Sequence, residues 1–93
     1  MKAKIWNQEK KYWAKVEVIK NLTFKSAPGF KFFLHKAYKE PGFVVSEETS
    51  GARVNYPKTS KTAAIKAARE KLKIIGPERV SKVVDEAINE RLK

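Results

Sequence analysis

Hydrophobic and polar positions alternate with a period of two through much of the first 56 residues, then switch to a helical repeat. Lys2–Trp6 alternates over a short run, and Asn7-Gln8-Glu9-Lys10 supplies a polar turn. In Tyr12–Ile19, the residues Tyr12, Ala14, Val16 and Val18 fall on one face. Trp13, Lys15, Glu17 and Ile19 fall on the other, in a segment whose aromatic and β-branched residues suit a strand. Lys20–Gly29 contains Asn21, Ser26 and the Pro28-Gly29 turn signal and reads as a connection, with Leu22 and Phe24 docking on the core or prolonging the strand. Phe30–Tyr38 is the next strand, with Phe30, Phe32 and Leu34 on one side and Lys31, Phe33 and His35 on the other. Pro41-Gly42 turns the chain into Phe43–Ser46, and Thr49-Ser50-Gly51 turns it again into Ala52–Val54. Connections this short join antiparallel neighbours, because parallel pairs need longer crossovers.

From Thr59 the pattern is helical. Thr59 or Ser60 supplies an N-cap oxygen, and Ala63–Leu72 has high helix propensity. Gly76 is a natural stop and Pro77 suits the first turn of a second helix. There Val80, Val83, Val84, Ala87 and Ile88 make an amphipathic stripe. The predicted class is α+β: a three- to five-stranded antiparallel sheet over about residues 2–56, followed by two C-terminal helices, about 59–75 and 77–92, packed on one face. The 93 residues form a single domain in this reading.

Charge narrows the function. The net charge is +11, and it is unevenly placed. Residues 1–40 contribute +7 and residues 58–75 contribute +5, whereas residues 76–93 are neutral. Such a field attracts polyanions, although lysine excess also serves solubility. The sequence has no cysteine, no apolar run long enough to cross a bilayer and no secretory pattern at its start. An intracellular, cytoplasmic protein without membrane contact is expected. Catalysis is not: His35 is the lone histidine, and neither a phosphate loop nor metal-ligand spacing occurs, so no cofactor or metal is anticipated. His35 reads as a sheet-face or surface residue. The acids of the last helix lie within a turn of Arg79 and Lys82 and read as solvated pairs.

Two groups of residues suit a polyanion. At the start of the first helix, Lys58, Thr59, Ser60, Lys61 and Lys66 combine ammonium groups, hydroxyls and free helical N–H groups, with no acid in the first turn. An ordinary capped helix with a lysine-rich solvent face is the competing reading. The run Ser60-Lys61-x-x-Ala64-x-x-Ala67-Ala68, after three strands and a basic turn, resembles the C-terminal half of double-stranded RNA-binding domains over about residues 42–75. That resemblance implies lysines gripping phosphates while the alanines let the helix lie close on the sheet. Thr62 and Ile65 stand where that family usually has lysines, and no helix precedes the first strand. The same order is similar to integrase arm-type DNA-binding domains and to the small HicB-like antitoxin fold.

The second group is the outer sheet face: Trp13 and Lys15 on one strand, with Lys31, Phe33 and His35 on another. If the helices cover the Tyr12/Val16/Val18 and Phe30/Phe32/Leu34 face, these residues form a platform for stacking bases. Otherwise Trp13 and Phe33 belong to a second small core, the commoner fate of aromatics in so short a chain. A helix-turn-helix around Gly76-Pro77 is excluded by the acids of the neutral tail. The expected function is therefore a non-enzymatic nucleic-acid-binding module of low sequence specificity, with DNA or RNA as partner. The alternative is a small basic regulator or inhibitor that docks on an acidic protein, in the manner of a mobile-element accessory protein. The valine stripe packs on the sheet or pairs with a second copy as a homodimer.

Overall fold

The computed structural model describes residues 1–92. Strands β1 (Lys2–Asn7) and β2 (Tyr12–Glu17) pair antiparallel as a hairpin. Strands β3 (Lys20–Leu22), β4 (Phe32–Lys36) and β5 (Phe43–Glu47) form a second antiparallel sheet in the order β3-β4-β5. Helices α1 (Lys61–Ile75) and α2 (Pro77–Arg91) follow. The α+β class with two C-terminal helices is as the pattern predicts; the strands, however, divide into two sheets.

Val18 and Ile19 explain the division. The Val18 amide still donates to the Met1 carbonyl of the hairpin, whereas the Ile19 amide donates to Leu34 of the other sheet. One extended segment therefore serves both sheets, switching partner at its middle. Lys20–Leu22, read as the beginning of a connection, becomes a short strand for this reason.

The three-stranded sheet is apolar on both faces and is covered on both. Phe32, Leu34 and Val45 face the helices, packing with Ala64, Ala68 and Leu72 of α1 and Val80 and Val84 of α2. The alanines leave room for α1 to lie close to the strands. Phe33 faces the other way and packs with Ile5 and Ala14 of the hairpin, flanked by Ala3, Tyr12, Val16 and Val18. The expected shared face is thus corrected. Tyr12, Val16 and Val18 pack opposite the helices, because α1 and α2 already cover the Phe32 side.

The predicted strand at Ala52–Val54 is reduced to a single bridge between Arg53 and Ser46. Asn55 interrupts the ladder: its side-chain oxygen accepts from the Val45 amide at 2.8 Å, taking the place of a strand carbonyl. Phe43 and Lys58 then exchange backbone hydrogen bonds, so β5's edge stays covered up to the start of α1. Ser60 caps α1, its hydroxyl accepting from the Ala63 amide at 3.1 Å. Gly76, at φ +82°, ends α1 and hands the chain to Pro77.

Candidate nucleic-acid interface

The hairpin register decides which side chains reach its outer surface. Ala3↔Val16 and Ile5↔Ala14 are inward pairs, so Lys2↔Glu17, Lys4↔Lys15 and Trp6↔Trp13 are outward ones. Lys4 directly opposite Lys15 is a like-charge cross-strand pair, an arrangement that destabilises a sheet on its own. Next to it, Trp6 and Trp13 meet edge to face, with ring centroids 5.3 Å apart. Trp13 remains 41 % exposed. Trp6 is more engaged: its indole N–H donates to Gln8 at 2.9 Å, and the Arg91 guanidinium lies 5.1 Å from its ring. Beyond the tryptophans, the turn carries Lys10 and Lys11. Glu17, the one acid on this face, is held by the Met1 ammonium at 3.1 Å. The hairpin therefore presents an aromatic pair between two pairs of lysines.

The residues of the anticipated platform do not stay together. Trp13 and Lys15 are outward on the hairpin, but Phe33 is 2 % exposed and lies beneath the same hairpin. Its expected role as a displayed ring is corrected: with both faces of its sheet covered, no part of that face is left for stacking. Lys31 is exposed, but stands at the far end of β4 from Lys36, in a shallow depression with Asn21, Thr23 and Glu48. At the other end of the sheet, Lys58, Thr59, Ser60 and Lys61 surround the start of α1, and the Lys61 ammonium lies 5.9 Å from the Phe43 ring. Lys36 is paired with Phe43 in the sheet, which adds a third base there. The Ser60 hydroxyl is committed to the cap, and Lys66 is exposed more than a turn along α1. Lys15 and Lys66 belong to the two outer layers, with the three-stranded sheet between them. The lysines of the two basic stretches thus do not gather into one patch.

Sequence reasoning overlooked Trp6 and Lys4, because the run Lys2–Trp6 was too short to reveal its register. The signal was available in the odd–even alternation of Lys2, Lys4 and Trp6, once β1 is paired through the Asn7–Lys10 turn.

His35 is also buried, at 2 % exposure, and so is not a surface residue. Its Nδ1–H donates to the Lys36 carbonyl at 2.7 Å, which leaves Nε2 to accept from the Ser46 hydroxyl at 2.8 Å. Burial lowers its pKa below the ordinary histidine value, against the opposing effect of the Lys36 carbonyl. A serine hydrogen-bonded to a neutral imidazole has the form of a nucleophile and its base. Here Ser46 is buried, and the neighbouring Gly51 and Ala52 amides are engaged by the Glu47 carbonyl and the Ser50 hydroxyl. The pair fastens β4 to β5.

His35 and Ser46 form the floor of an open cleft of about 650 Å³, walled by Trp6, Tyr38, Arg53 and Arg91. No group of acids and histidines among the described residues could hold a metal ion, and no described helix is long and apolar enough to cross a membrane. No protein-family model matches the sequence, and no curated protein or solved structure matches it significantly.

Proposed function

We propose that the protein is a non-enzymatic nucleic-acid-binding module of low sequence preference, which holds DNA or RNA with unpaired bases on the outer face of its β1–β2 hairpin. The observation that carries this reading is the stacked order of outward pairs, Lys4↔Lys15 beside Trp6↔Trp13. Two ammonium groups facing each other across a hairpin repel, and a phosphate between them turns that repulsion into attraction. The half-exposed Trp13 ring offers a π-face that any base can use, which gives affinity without sequence readout. The cytoplasm is the setting this reading implies. The α1 start, with Lys58 and Lys61, lies outside the proposed contact.

The test is fluorescence anisotropy of labelled single-stranded oligonucleotides at about 50 and 200 mM salt, where polyanion binding weakens steeply. Lys4→Ala/Lys15→Ala should weaken binding and lower the log–log salt slope by about 1.4, or roughly 0.7 per lost phosphate contact on a single strand. Lys58→Ala/Lys61→Ala should leave both nearly unchanged. No complex at low salt, or equal losses in the two double variants, would sink the proposal.

A second reading, docking on an acidic protein, is favoured by a different surface. Tyr56 is 71 % exposed, and Arg53 and Lys71 approach its ring at 5.1 and 5.8 Å. An exposed tyrosine flanked by cations is a composition typical of protein interfaces. That reading requires an interaction that survives nuclease treatment and fails with Tyr56→Ala.

A further inference from the structure

The cleft beside the hairpin contains a group that lacks a partner. Arg91 reaches it from the last turn of α2, and its Nε is the one buried side-chain nitrogen or oxygen among the described residues that makes no hydrogen bond. Burial lowers the guanidinium's pKa, against the carboxylates of Glu90 and Glu47. A desolvated, unsatisfied N–H on a cation is unfavourable, and an acceptor brought in by a ligand would relieve it. The other guanidinium of the cleft, Arg53, is already paired with Glu40 at 3.4 Å. Donors nevertheless predominate close to Arg91. Trp6 holds the Gln8 side-chain oxygen and the Lys10 amide holds that of Asn7, which leaves the two amide NH₂ groups to face a ligand.

Size and shape narrow the class. A cleft of about 650 Å³ falls in the range of small-molecule sites and far exceeds what a lone phosphate fills. Trp6 and Tyr38 give it aromatic walls, and Trp6 belongs also to the outward tryptophan pair, so the cleft opens directly beside the proposed strand path. We infer that it receives a single nucleotide unit, with acceptor atoms of its base or phosphate on Arg91 and its ring against the aromatic wall. This rests on the reading of the hairpin as a strand-binding face, and deepens it. A strand lying along Trp13 would turn one nucleotide in beside Trp6, a site that stacking alone does not supply.

The chain has two tryptophans, so Trp13→Phe makes Trp6 the sole indole reporter. Titration of that variant with adenosine and uridine monophosphates should give a saturable change in Trp6 emission. Inorganic phosphate should give a much weaker one. Arg91→Met in the same background should weaken nucleotide binding by about ten- to a hundredfold, the range for a charge-assisted hydrogen bond. Arg91→Lys keeps charge and stem but loses the fork, and should lose most of the affinity with an unchanged melting temperature. No saturable signal, equal binding of inorganic phosphate, or full affinity in both Arg91 variants would overturn the inference. Lys4→Ala/Lys15→Ala separates the two proposals: it should abolish strand binding and leave nucleotide binding intact. Strand binding that persists while nucleotides fail to bind removes the cleft alone.

Discussion

His35 connects local chemistry to stability through one buried polar contact. Its imidazole is satisfied on both nitrogens only while neutral, with Nδ1–H on the Lys36 carbonyl and Nε2 accepting from Ser46. A proton on Nε2 would turn that acceptor into a second donor inside an apolar layer. The folded pKa is therefore lowered, chiefly by burial. The sign follows: between the folded value and the ordinary value of about 6.5, the unfolded chain binds a proton that the folded chain refuses. This contribution to stability is complete above about pH 6.5 and is lost as pH falls towards the folded pKa. Urea midpoints should fall between pH 7.5 and pH 5 more steeply for the native chain than for His35→Gln, which hydrogen-bonds without titrating in that range. Parallel slopes would refute the assignment. Ser46→Ala should cost about 1–3 kcal/mol at neutral pH, because it strands the buried Nε2 acceptor.

At the scale of elements, the hairpin is attached through one glycine. Gly51 has φ +67°, and its carbonyl accepts from the Trp6 amide at 3.0 Å, joining the β5 turn to β1's free edge. A Cβ there would stand 2.5 Å from the Trp13 ring and 2.8 Å from the Trp6 nitrogen. The nitrogen cannot move without breaking the joint. Gly51→Ala should destabilise by about 2–4 kcal/mol, combining left-handed backbone strain with overpacking. Because the displaced ring is Trp13, near-UV circular dichroism of the folded variant should change as well; native stability with a native spectrum would count against this joint. The two helices were legible because caps and stops are local: Ser60, Gly76 and Pro77 act on their own neighbours. The hairpin's place was not. Tyr12, Ala14 and Val16 announce an apolar face, but only the rest of the fold decides whether that face meets the helices or Phe33. Asn55 was likewise unreadable, since an asparagine that replaces a strand carbonyl looks in sequence like any turn residue.

For the whole molecule, the layer order limits how a strand can be held. The hairpin and the helices lie on opposite faces of the central sheet, in a body of 30 × 29 × 22 Å. Lys4 and Lys15 are on one outer surface and Lys66 on the other, while α2 adds Glu78, Asp85, Glu86 and Glu90 to the helical layer. The charge blocks in the sequence gave no hint of this separation, because position along the chain does not state which layer a residue joins. Net charge would suggest a strand wrapped around the protein; the layers favour a short contact on one face. The outward hairpin strands have six residues each, so the contact is about 20 Å long at roughly 3.3 Å per residue. Affinity for oligothymidylates of increasing length should therefore rise to a plateau within about 4–8 nucleotides, near the lower end of site sizes for comparable single-strand binders. Past that length, overlapping registers add only a slow statistical gain. A wrapped strand would instead reach the lysines at the start of α1, and affinity would keep rising steeply beyond about 16 nucleotides. That rise, abolished by Lys58→Ala/Lys61→Ala, would show that the hairpin is one stop on a longer path.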